Sequence, residues 1–189
     1  MSREISKIDQ SHANAAGDIV AGNKITYCAS PALPPSIVER LMERLAKEIK
    51  ENKTAETILD SLQFYHSKVA KDGIVGLEAK LAAANRSDEL FIAYEKKELF
   101  VKILEKYSLY ESAQKIFAYI LAKAEHQFSI SVHCKIETLD KADIDELITE
   151  KIIDPIVYEC GMGPLDITHS VVMGMIYWLA EQCFIRWHL

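Results

Sequence analysis

From residue 36 onward, apolar residues recur every three or four positions, the spacing that gathers them on one face of an α-helix. Ser36 is placed to cap a first helix, with Glu39 three residues on to complete a capping box, and Ile37, Leu41, Leu45 and Ile49 form its stripe. A second helix is predicted over residues 54–70, with Ile58, Leu62, Tyr65 and Val69 inward and Asp72-Gly73 to stop it. A short Ala-rich helix follows at 75–84. Ser87 or Asp88 opens a longer one bearing Leu90, Phe91, Tyr94, Leu99, Phe100, Ile103 and Leu104. Residues 109–126 make another, packed through Ile116, Phe117, Ile120 and Leu121.

The period then changes. Phe128, Ile130, Val132, Cys134 and Ile136 alternate with polar residues, the period of a strand, so 128–136 is expected to be extended or a short edge strand. Thr138 or Asp140 caps the next helix, striped by Ile144, Leu147, Ile148, Ile152 and Ile156. Pro155 inside that stripe lacks a backbone donor and is expected to kink or split it. Beyond Gly161 and Gly163-Pro164, an almost wholly apolar helix over 167–182 is expected at the centre of the core.

The first 35 residues differ. Ala16-Gly17-Asp18-Ile19-Val20 is followed without a gap by Ala21-Gly22-Asn23-Lys24-Ile25, each unit pairing a residue suited to positive φ with β-branched neighbours. Two short strands or rungs are predicted, with Ile19, Val20 and Ile25 buried against the helical body or a partner. Pro31, Pro34 and Pro35 mark a linker. The fold class is therefore all-α, a bundle-like domain of about seven to eight helices over residues 36–189, with a short N-terminal β appendage in residues 1–35.

Composition narrows the function classes. The chain is 49% hydrophobic and carries a formal net charge of −6, which argues against a broad nucleic-acid-binding face. Four scattered cysteines without a CxxC pair fit reduced thiols in the cytoplasm rather than a disulfide framework. Residues 1–4 lack the start of a signal peptide, and the longest apolar run, 171–180, is too short for a bilayer.

Candidate chemistry is sparse. Gly17-x-x-x-x-Gly22 has the spacing of a phosphate-binding loop, but Asn23 stands where Lys is needed, Lys24 comes one residue late, and Ile25 replaces the magnesium-binding hydroxyl. Asp88, Glu89 and Glu95-Lys96-Lys97 echo a metal-dependent nuclease only loosely, since they fall in a helical run. His133-Cys134 with Cys160 and His169 lack the paired spacing of a zinc site. No catalytic residue, cofactor or metal is assigned. The C-terminal crowding of Trp178, Phe184, Arg186 and Trp187 has two readings, core packing that ties down the chain end and a partner surface. As partner-binding candidates these four join Ile19 and Ile25.

Several blocks also carry a family resemblance. Gly174-Met175-Ile176-Tyr177-Trp178-Leu179 with Cys183-Phe184-Ile185-Arg186-Trp187, the stretches 97–104 and 112–116, and Ile152-Ile153-Asp154-Pro155-Ile156 resemble the C-terminal domain of proteins in ABC-three-component systems. The leader Asp9-Gln10-Ser11 with residues 17–25 resembles the segment that often precedes this domain. The resemblance implies a bacterial conflict module in which an SMC-like ABC ATPase works with an effector, often a nuclease, through a linking domain. About eight residues precede Asp9, so no effector domain is expected before the leader. The expected function is a non-catalytic adaptor that binds the ATPase or effector and meets DNA only indirectly. A small hydrolase or nuclease with a dispersed site and a homo-oligomeric structural protein are the competing readings. A cleft uniting His126, His133 and a cysteine would favour the enzyme.

Overall fold

The computed structural model describes residues 35–66, 73–161 and 163–188, and all regular structure among them is helical. Eight α-helices follow in order: α1 (Ile37–Glu51), α2 (Asp60–Gln63), α3 (Leu77–Ala83), α4 (Leu90–Tyr107), α5 (Glu111–Gln127), α6 (Lys141–Ile148), α7 (Asp154–Cys160) and α8 (His169–Glu181). The predicted β appendage, with Ile19 and Ile25, and the Gly17–Gly22 motif lie outside the described residues, as does Val69. No described helix is long and apolar enough to cross a membrane.

The capping box at the start of α1 forms as its residues imply. The Glu39 amide donates to Ser36 Oγ at 3.1 Å, and the Ser36 amide donates to Glu39 Oε2 at 2.6 Å. The buried face is Val38, Met42, Leu45 and Glu48, so of the predicted stripe Leu45 is fully buried while Ile37 is exposed. Leu41 and Ile49 flank that face. The helix presses on α5 and α7, and Ile37 at its first position is left exposed. Among the described residues the second helix is far shorter than the predicted 54–70, of which 67–70 lie outside them. Residues 53–59 run irregularly, and α2 passes directly into a 3₁₀ turn at Phe64–His66 that buries Leu62 and Tyr65 but leaves Ile58 exposed. Side-chain bonds from α5 compete for that loop: the Leu59 amide donates to Gln114 Oε1 at 2.7 Å, and Gln114 Nε2 donates to the carbonyl of Thr57 at 3.2 Å.

The expected strand at 128–136 does not exist. Helix α5 continues through a π-helical turn at Phe128–Val132 and a 3₁₀ turn at His133–Lys135. Phe128 and Val132, four apart, are buried, whereas Ile130 and Cys134 are exposed. No described segment is extended alongside, so helical hydrogen bonding is what satisfies this backbone. Pro155 acts as its chemistry requires. It falls at the start of α7 within a continuous helical run over residues 141–160, and a π-helical turn at Thr149–Ile153, directly ahead of it, carries the change in hydrogen bonding that joins α6 to α7.

Helix α8 is the hub, touching α3, α4, α5 and α7. Thr168 caps it, and residues Gly174 through Ala180 are all buried. Its closest neighbour is α4. A Cβ built on Gly174 would lie 2.0 Å from the Lys96 carbonyl oxygen, so only glycine allows this approach of two backbones. Ala93 on α4, fully buried, is likewise small, and Lys97 on α4 pairs with Glu181 on α8 at 2.5 Å.

Candidate functional site

The C-terminal aromatic block takes its form from the end of α8. Cys183 adopts φ 68°, the Cys183 amide donates to the Ala180 carbonyl at 3.0 Å, and the Phe184 amide donates to the Leu179 carbonyl at 2.9 Å. That is a Schellman ending with cysteine in the left-handed position usually given to glycine. It turns the chain back onto the bundle, burying Ile185 and Trp187. A charged side chain completes the cap. Lys80 of α3, 1% exposed, donates from Nζ to the Ala180 carbonyl at 2.7 Å and to the Ile185 carbonyl at 3.0 Å. The negative end of α8 and the reversed chain thus meet a buried ammonium. Composition alone marks Lys80 as a surface residue, and only the tertiary contact shows its place.

The six partner candidates separate. Trp178 and Trp187 are core residues, 5% and 2% exposed, and neither side chain is presented at the surface. Trp178 packs edge-on against His66 and tilted on Phe100. Trp187 packs on Tyr177 and Phe128, with the Arg86 guanidinium 5.8 Å from its ring centroid. Phe184 and Arg186 are half-buried. Phe184 stacks with Phe64 and Tyr65, and Arg186 lines a cavity of about 80 Å³ with Glu125, Ser129 and His133. Ile19 and Ile25 lie outside the described residues.

The residues weighed for chemistry are dispersed or engaged. Glu89 and Asp145 share Arg86 at 2.9 and 2.8 Å, Asp88 meets Lys141 at 3.4 Å, and Lys97 is bound to Glu181. His169 bonds Asp154 at 3.0 Å in an exposed pair. His133 lines a cavity whose lining includes neither His126 nor a cysteine. Among the described residues no three His, Cys, Asp or Glu side chains gather in an arrangement that would hold a metal ion. Cys160 is buried. Burial, reinforced by the Glu159 carboxylate, pushes its thiol up to about 12, so it stays protonated near neutral pH and is poorly suited to attack. Glu48 is also occupied structurally. It accepts from the Ser112 amide at 3.1 Å, from Ser112 Oγ at 2.9 Å and from Arg44 Nε at 2.9 Å, tying α1 to the first turn of α5.

A broad groove remains. It has a volume of about 390 Å³ and lies between α4, the α6–π segment and α8, with Ile92, Ile148, Ile153 and Met173 as apolar walls. Tyr177 also lines it, and Glu89, Asp145 and Lys96 supply charged groups. Sequence reasoning put no site here because the residues come from three separate stretches of chain. The exposed apolar side chains of α4 were the available signal: Phe91 is 73% exposed and Ile92 52%, although a helical stripe including Phe91 implies burial.

Neither the curated proteins nor the solved structures gave a match. The family model for C-terminal domain 9 (CTD9) of the ABC-three component (ABC-3C) systems matches residues 76–187, from the start of α3 to the Trp187 that closes the core. Helices α1 and α2 precede the matched span yet belong to the same compact unit, residues 35–189. A match over more than half of the chain, ending on the aromatic block that builds the hub, places this protein in the CTD9 family of ABC-three component systems.

Proposed function

We propose that this chain is a non-catalytic adaptor of a bacterial defence complex, holding an SMC-like ABC ATPase and its effector together in the cytoplasm. In this reading the ATPase supplies nucleotide chemistry and most contact with DNA, and the chain needs no cofactor of its own. Membership of a family defined within multi-component systems is the observation that carries it. The fate of the polar groups adds support. Buried Glu48, Lys80 and Arg86 are spent on caps and helix-to-helix ties, while large apolar side chains such as Phe91, Ile92 and Tyr158 face outward.

The test is co-purification of the tagged chain with the products of its native operon at native expression, with and without ATP. Recovery of the ATPase or effector in a defined stoichiometric complex is the expected result. A chain that elutes alone under both conditions would refute the adaptor reading.

A further inference from the structure

Tyr177 is 3% exposed and lines the groove between α4, the α6–π segment and α8, yet its hydroxyl makes no hydrogen bond to any described residue. A buried phenol normally finds a partner. Here the side chain is part of the groove lining, and the groove is where a partner can be supplied. Two carboxylates stand near it, Glu89 from the turn before α4 and Asp145 from α6. Arg86 serves both, leaving the trio with one net negative charge. Burial, with Glu89 and Asp145 adding to it, raises the Tyr177 pKa, so the phenol stays neutral and offers its oxygen lone pairs.

The walls are apolar, and one of them is the π-helical turn Thr149–Ile153, a distortion frequent at functional sites. Lys96 lines the same groove seven residues along from Glu89, roughly 10 Å on a helix. The groove is therefore polarised along α4, with its negative end over Tyr177.

We infer that this groove seats a segment of a partner protein carrying a Lys or Arg between apolar residues, with the cation set over Tyr177, Glu89 and Asp145. Ile92 and Met173 receive the flanking apolar side chains, and Lys96 favours an acidic or polar residue at the far end. An acidic anchor is excluded at the Tyr177 end by two carboxylates that already share one guanidinium. This inference rests on the adaptor reading and names the surface and chemistry of its contact.

A photo-crosslinking amino acid placed at Ile92, in the full chain co-expressed with the ATPase and effector of its system, tests it. Ile37, exposed on α1 and not part of the groove lining, is the control position. The expected product joins position 92 to a partner peptide with a Lys or Arg among apolar neighbours. Tyr177→Phe, which keeps the ring packing, and Asp145→Asn should each lower the cross-link yield by about tenfold at unchanged helical content. A cross-link to a second copy of this chain, to its own residues 1–34, or to a partner segment without a basic residue overturns the inference. So does a complex that forms without cross-linking at position 92, or yields unmoved by both substitutions, and the adaptor reading then stands. If no complex forms with the wild-type chain, the adaptor reading falls and the inference with it.

Discussion

Replacing Gly174 by alanine isolates the contact on which the fold turns. In an ordinary exposed helix this change is favourable, by about 1 kcal/mol, because glycine has more backbone entropy to lose. Here the new methyl carbon would sit 2.0 Å from the Lys96 carbonyl oxygen, 2.6 Å from its carbonyl carbon and 3.2 Å from the Lys97 amide nitrogen. Ordinary contact begins near 3.4 Å, so the helices must part locally by about 1.4 Å at a position where both surfaces are backbone and no rotamer can yield. Overpacking of a core costs roughly 1–3 kcal/mol, and a backbone clash belongs at or above the top of that range. Subtracting the propensity gain leaves a net loss of about 2 kcal/mol, or a fall in Tm of about 4–8 °C for a domain of this size. Thermal and urea unfolding followed by circular dichroism would measure it, with Gly174→Val expected to lose more than Gly174→Ala. An alanine variant as stable as the parent, or more so, would show that α4 and α8 do not approach this closely.

Two further outcomes follow from buried groups. Lys80→Met keeps the aliphatic stem but withdraws the ammonium from the Ala180 and Ile185 carbonyls, and should cost about 1–3 kcal/mol in urea unfolding; a change below about 0.5 kcal/mol would refute the capping role. With its folded pKa raised from 9.0 to about 12, the Cys160 thiol contributes stability that is complete below pH 9 and lost as pH climbs towards 12. Mass-spectrometric mapping after brief maleimide treatment at pH 7.5 should accordingly label exposed Cys134 well before Cys160, and equal labelling would contradict the burial.

What the sequence by itself determined was local or strongly patterned. The Ser36–Glu39 box set the start of α1, Pro155 marked the place where the α-helical pattern is interrupted by the π turn ahead of α7, and the continuous apolar run at 171–180 pointed to a buried helix. The family blocks at 97–116 and 174–187 were legible because they hold the side chains that make the hub, Phe100, Ile116, Trp178 and Trp187 among them. Where two periods competed, sequence was ambiguous. Residues 128–136 satisfy an alternating pattern, but a strand needs a neighbour, and the bundle supplied a helix to extend instead. Which face of α1 is buried, why Gly174 cannot carry a side chain, and where Lys80 ends were decided by tertiary structure alone. Each depends on a surface brought from elsewhere in the chain: α5 and α7 for α1, the Lys96 carbonyl for Gly174, and the end of α8 for Lys80. The groove over Tyr177 is of the same kind, since spacing within one segment cannot report a site assembled from three.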